Sequence, residues 1–168
     1  FTMKEKSAFE TAGSLLSRRA QSQAELRRKL YAKGFSKADI DFTISECLRL
    51  GFLNDSTFAN ILTDEMLARG CGSRRISFAL AKRGIAKDIA SETIEGIGER
   101  DGSPAELSSA IEALRRKLKS FEHEADFSKR RLKAMRFLAG RGFNGDIANK
   151  ALAVYPSLSK RNPTEGIL

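Results

Sequence analysis

Few residues in this sequence have the types and spacing that acid–base, nucleophilic or metal chemistry requires. The single histidine, His123, sits between Glu122 and Glu124, the residue types a proton-transfer pair would use. Nothing nearby would orient the ring, and so acidic a stretch fits an exposed loop better than a general base. Cys71 lies between Gly70 and Gly72 and is expected to be an exposed loop thiol. With no His or second Cys beside it, nothing activates it as a nucleophile. Cys47 continues the stripe Ile40, Ile44, Cys47, Leu48, one helix face, and reads as packing. The acid pairs Asp39 with Asp41 and Asp64 with Glu65 stand on expected helix surfaces without a metal-ligand set around them. There is no Cys/His zinc spacing and no GxxxxGK loop. Gly140-Arg141-Gly142-Phe143-Asn144-Gly145 spells GxGxxG, but a dinucleotide site needs a preceding strand and an acidic residue about 20 positions on. Here a helical pattern precedes it and the chain nearly ends. The expectation is a protein that is not an enzyme and holds no cofactor or metal.

Charge carries more information. Thirty Lys and Arg against 21 Asp and Glu give +9 and a pI near 9.8, which makes polyanions plausible neighbours. The excess has direction: residues 88–112 carry seven acids against Arg100 alone, while residues 115–141 carry ten bases against Glu122, Glu124 and Asp126. Such segregation suits separate surfaces for separate partners. The bases concentrate as Arg27, Arg28, Lys29 and Lys33, then Arg74, Arg75, Lys82 and Arg83, then Lys129, Arg130, Arg131, Lys133, Arg136 and Arg141. Taken singly, each would serve equally well as a solvated charge at a helix end. Taken together they read as a discontinuous basic stripe. Aromatic residues are 8% of the chain and Trp is absent. Tyr31 and Tyr155 stand where core packing explains them, so platforms for stacking single-stranded bases look scarce. Nothing approaches the roughly 20 apolar residues of a membrane span. Two cysteines do not make a disulfide scaffold and fit a reducing cytoplasm. The opening Phe1-Thr2-Met3-Lys4 has no signal-type apolar run, and a first residue other than Met is expected of a piece of a longer chain.

Nearly every segment has helical period, and the expected fold is all-α. Gly34, Gly84 and Gly142 set three copies in register. Four residues before each lies Leu30, Leu80 or Leu138; directly before it a base, Lys33, Arg83 or Arg141; directly after it Phe35, Ile85 or Phe143. A helix that ends on a left-handed glycine, with bases in its last turn and an apolar contact beyond, has this pattern. Ser36 and Asn144 cap the helices that follow, Lys87 standing in the second copy. Adding one helix ahead of each basic one gives spans near 7–20, 22–34, 36–50, 55–69, 73–84, 86–98, 104–120, 127–141 and 145–155. Ser22 with Glu25 reads as a capping box, and Ser103-Pro104-Ala105-Glu106 as another helix start. Three tandem three-helix repeats follow, 1–50, 51–102 and 103–168 with a C-terminal tail, stacked into an elongated, curved, monomeric array. Gly96 to Ser103, GIGERDGS, suits a hinge or equally a rigid, tight connection.

Between the first two copies, LGFLNDSTFA (50–59) places Gly51 at a helix end, Phe52 and Leu53 over the junction, and Asn54 or Asp55 at the next helix start. This string, preceded by ELRRKLYAKGF and followed by GSRRISFALAKRGI and RRLKAMRFLAGRGF, resembles the RecX family of recombination regulators over roughly residues 14–155. The resemblance implies three three-helix repeats that bind the RecA filament on DNA, in its helical groove, and mostly inhibit its ATPase, strand-exchange and coprotease activities. It places the chain in recombination, DNA repair and the SOS response, without a catalytic centre. Gly70-Cys71-Gly72 departs from the pattern in making the approach to the fifth helix look loose. A stand-alone, non-specific nucleic-acid-binding array, gripping single- or double-stranded DNA directly, is the alternative reading.

Overall fold

The computed structural model describes residues 6–98 and 105–159. Among them are ten α-helices, a 3-10 turn and no strand: α1 Ala8–Leu16, α2 Gln23–Ala32, α3 Lys37–Arg49, α4 Asp55–Ala68, α5 Ser73–Lys82, α6 Lys87–Glu95, the 3-10 turn Gly96–Gly98, α7 Ala105–Glu122, α8 Phe127–Gly140, α9 Gly145–Ala153 and α10 Pro156–Ser159. The expected Ser103–Pro104 start of the seventh helix, the opening Phe1–Lys4 and most of the Gly96–Ser103 connection lie outside the described residues. The chain divides into two compact units, 1–61 with 80–90, and 62–79 with 91–168.

Each helix end explains itself locally. Gly34, Gly84 and Gly142 have φ of 86°, 75° and 90°, and the two bonds that close such an end are made in every copy. Gly34, Gly84 and Gly142 N–H donate to Tyr31, Ala81 and Ala139, while Phe35, Ile85 and Phe143 N–H donate to Leu30, Leu80 and Leu138. The leucines receiving those bonds are fully buried, so one residue closes the helix and anchors it in the core. Ser36 and Asn144 cap α3 and α9. In the second copy Lys87 is the first helical residue of α6, leaving Ala86 where the other copies have a cap. Asn54 caps α4 through the Thr57 N–H. Ser7 and Glu10 form a reciprocal capping box on α1. At Ser22 the hydroxyl accepts from Glu25 N–H at 3.1 Å, but the Glu25 carboxylate turns to arginines.

In the first unit α1, α2 and α3 pack on one another around Ala12, Leu26, Leu30, Ile40, Ile44, Cys47 and Leu53. Burial raises the pKa of the Cys47 thiol, which keeps it protonated and inert. Phe52 and Leu48, expected to be covered, are exposed, as are Ile61 and Tyr31. Tyr31 on α2 lies off the Leu26–Leu30 face, Leu48 stands at the edge of the α3 stripe next to the buried Cys47, Phe52 follows the end of α3, and Ile61 is on α4. In the second unit α7, α8 and α9 pack together, with α10 on α8 and α9. Ala110, Ala113, Ala134, Ala148 and Ala151 let the helices approach, Leu114, Leu138, Leu152 and Leu158 fill the centre, and Phe121 meets Phe137 edge-to-face at 5.5 Å. One correction is a tenth helix beyond the nine expected, and the C-terminal tail after it lies outside the described residues. Pro156 opens α10 in the position that does not miss its N–H, and Leu158 is buried outright.

The other correction concerns Gly70-Cys71-Gly72, which is tight. Cys71 is buried at 7% exposure. Gly72 N–H donates to Arg141 O at 2.9 Å, and Arg74 N–H donates to Gly142 O at 3.2 Å. A Cβ on Gly72 would stand 2.5 Å from the backbone of Gly142 and Phe143. The end of α8 thus supplies carbonyls to the start of α5, and Glu106 Oε1 takes the Ser73 N–H at 2.7 Å. The first unit contains a seam of the same kind. Ser22 Oγ donates to Arg83 O, Asp55 Oδ1 takes the Gln23 N–H at 2.9 Å, and a Cβ on Gly84 would collide with the Ala24 methyl. In each seam a glycine-ended helix and a carboxylate from a third helix satisfy the first turn of a basic helix, whose N–H groups would otherwise be orphaned.

Arginines lock both seams. Arg83 Nη1 donates to Glu25 Oε1 at 2.9 Å and Arg19 adds two bonds of 3.3 Å to the same carboxylate. Burial pushes Glu25 up, but the Arg19 hydrogen bonds and the Arg83 and Arg19 charges outweigh it, and its pKa falls below the ordinary 4.5. Arg141 Nη1 donates to Arg69 O at 2.8 Å and Gly70 O at 3.1 Å, and its guanidinium lies 4.8 Å from the centre of the Phe137 ring.

The seams can be probed by substitution and by pH. Gly72→Ala should lose about 1–3 kcal/mol, the cost of overpacking, whereas Gly140→Ala, with open space around it, should be neutral or stabilising in chemical denaturation. Because Glu25 has a lowered folded-state pKa, its contribution is complete above pH 4.5 and is lost as pH falls through the lowered value. The difference in melting temperature between the native chain and Glu25→Gln should therefore narrow on acidification below pH 4.5.

Candidate functional site

The candidate cations fall into two groups once their partners are known. Several are engaged by partners within the chain, some at its surface. Arg27 pairs with Asp41, Arg83 with Glu25, Lys133 with Glu124, and Arg141 holds the α4 end. Arg131 donates to Leu158 O and Asn149 Oδ1. Arg130 departs furthest from the surface stripe: it is only 7% exposed and donates to the carbonyls of Glu124, Ala125 and Ser157 at 2.8–3.1 Å. Those carbonyls belong to the turn before α8 and to α10, which together hold Arg130 out of solvent.

The rest face outward. Arg28 and Lys33 near the end of α2, Arg74, Arg75 and Lys82 on α5, and Lys129 and Arg136 on α8 are exposed, and no ion pair or hydrogen bond engages their side chains among the described residues. Lys33 is the base before Gly34, the counterpart of Arg83 and Arg141, yet it closes no seam. Lys29 is half-buried. Its pKa is lowered by burial first and then by the charges of Arg19, Arg28 and Arg83, with Glu25 opposing. Within the first unit, Arg19 and Arg83 thus hold the buried Glu25 carboxylate, with Lys29 beside them and Arg28 close to Lys29. In the second unit Arg74 and Arg75 occupy the first turn of α5 and Lys129 that of α8. A base there opposes the helix dipole at about 0.3–1 kcal/mol, which Glu106 and the Asp126 cap offset in part.

Catalytic geometry does not gather around the residues considered for it. His123 is exposed just past the end of α7, Glu122 accepts from Ser157 Oγ at 2.8 Å, and Glu124 is held by Lys133. Among the described residues no three His, Cys, Asp or Glu side chains group as a metal set, and no helix is long and apolar enough to cross a membrane. The glycines of the GxGxxG string lie at a helix–helix turn, where Gly142 serves the seam. Sequence reasoning also missed four side chains. Glu106 acts across the fold, 33 residues from the Ser73 amide it receives, and Arg19 turns back to Glu25, six residues on. Tyr31, expected in the core, is 75% exposed, and Phe78 is 71% exposed. Only Tyr155 of the two tyrosines packs inside, donating to Ile111 O at 3.0 Å. An aromatic ring off the Leu26–Leu30 or Ile76–Leu80 face was the available signal.

The arrangement is one of exposed basic side chains on a helical scaffold, and comparison with known proteins agrees with such a scaffold. Family models described as the first and third three-helix domains of RecX match residues 8–47 and 105–152. The regulatory protein RecX of Legionella pneumophila is 35% identical over 144 residues, 85% of this chain and 91% of that one. Its namesake in Vibrio vulnificus is 31% identical over 154 residues, 91% and 95% of the two chains. A crystal structure of RecX from Lactobacillus salivarius superposes with a TM-score of 0.77 at 19% identity, over 88% of this chain and 93% of that one, which speaks to the fold. From helices, glycine-ended repeats and these relatives together, the chain belongs to the RecX family of regulatory proteins.

Proposed function

We propose that this chain binds the RecA recombinase filament on DNA, in its helical groove, and mostly inhibits its ATPase, strand-exchange and coprotease activities. The observation that carries this reading is the division of the cations. With Arg83, Arg130, Arg131 and Arg141 committed to the fold, the bases that remain open are distributed over α2, α5 and α8, one basic helix in each of the proposed repeats 1–50, 51–102 and 103–168. Cations without partners suit an acidic protein surface or the phosphates of a bound strand. A cytoplasmic location, action as a monomer and independence of any cofactor accompany the reading. Its family membership supports a regulatory role, and RecA as the target follows from what the family resemblance implies.

Direct, RecA-independent binding to nucleic acid is the second reading, and the two coexist if direct binding is weak. The exposed aromatic residues favour keeping it.

The test is DNA-dependent ATP hydrolysis by RecA. Substoichiometric addition of this protein should slow it. Reversing Arg28 and Arg136 to Glu should relieve most of the inhibition while shifting stability by no more than about 0.5 kcal/mol, as for other surface changes. Reversing Arg130 should instead unfold the second unit. Undiminished hydrolysis with the native chain demonstrably bound to the filament would contradict the proposal.

A further inference from the structure

Phe78 is the most exposed phenylalanine among the described residues, at 71%, on a helix whose other large apolar side chains, Ile76 and Leu80, are fully buried. It is not a frayed or terminal residue, since α5 continues from Ser73 to Lys82. One turn before it, at i−4 and i−3, stand Arg74 and Arg75, exposed and without an acidic partner among the described residues. Side chains at these spacings share one helix face, with Cβ atoms about 5–6 Å apart. The carboxylate drawn to this end of the helix, Glu106, is taken by the Ser73 amide. The face is therefore an open ring edged by two guanidinium groups, with no acid on it.

A protein pocket that received Phe78 would also have to bring carboxylates for both arginines. A single-stranded nucleic acid brings a flat π surface and phosphates in the same unit. We propose that Phe78 stacks an unpaired nucleobase while Arg74 and Arg75 hold the phosphates flanking it. Duplex DNA, whose bases are already stacked, cannot use the ring. The inference rests on reading the open cations as a polyanion-facing surface, and adds to it a preference for single strands located at one residue. It also revises the sequence-based impression that stacking platforms are scarce.

The chain contains no tryptophan, so Phe78→Trp gives a single fluorescent reporter at the site. On titration with an oligothymidylate followed independently by anisotropy, the indole emission of that variant should be strongly quenched at saturation. Phe78→Ala should weaken binding by about five- to hundredfold, the range for losing one stacked base, with the salt slope unchanged and duplex affinity untouched. Phe78→Tyr should bind like the native chain. Arg74→Gln with Arg75→Gln should flatten the log–log salt slope by about 0.7 per lost phosphate contact, which tests the polyanion reading separately from the stacking. Unquenched emission at saturation, or a Phe78→Ala protein that binds oligothymidylate as tightly as the native one, would overturn the proposal. So would equal losses on single strand and duplex. If Phe78→Ala abolished capture of preassembled RecA filaments but left oligothymidylate affinity intact, the ring would be a protein contact and the stacking proposal wrong.

Discussion

The structure depends on helix termini that satisfy one another. An α-helix leaves its last carbonyls and first amides without internal partners, and here the surplus of one is matched to the deficit of another. Arg141 and Gly142 carbonyls meet Gly72 and Arg74 amides, and Arg83 O meets the Ser22 hydroxyl in front of the Gln23 amide. Backbones can come this close only where a side chain is missing, which is why the contacts fall at Gly72, Gly84 and Gly142. The opposed partial charges of the two helix ends add attraction to the hydrogen bonds. A left-handed glycine thus does two jobs, ending its own helix and admitting the next.

That constraint separates the basic residues that serve the fold from those it leaves exposed. The base before each glycine has the same local setting in the three copies, yet Arg83 and Arg141 reach across a seam to a buried carboxylate or to helix-end carbonyls, while Lys33 has no such partner among the described residues. Arg130 and Arg136 lie on one helix and are indistinguishable by type. One is surrounded by carbonyls from the turn before α8 and from α10, and the other by solvent. The charges left over are therefore a smaller and better defined set than the composition suggests, and it is this set that a polyanion or an acidic protein would meet.

How much of this was legible follows from range. The helical class, the glycine ends, the buried leucines four residues before them and the Ser36, Asn54 and Asn144 caps all depend on chemistry within about six residues, and the sequence displays it. The exposure of Phe78 shows where such reasoning stops. It stands six residues before Gly84, as Arg28 and Arg136 do before Gly34 and Gly142, so register alone marked it as an outward position. Hydrophobic type suggested otherwise for the aromatic residues. Gly72 and Glu106 were opaque for a different reason: their partners lie distant in sequence, and a small residue and an acid at a helix start each have an adequate local explanation.

Amide hydrogen exchange on the free protein tests the central claim most directly, because the seam is made of particular backbone bonds. If the termini join as described, the amides of Gly72 and Arg74 exchange as slowly as those of buried helix residues such as Leu138, although both stand at a helix start where amides ordinarily exchange fast. Rapid exchange at those two positions, with Leu138 protected, would contradict the account.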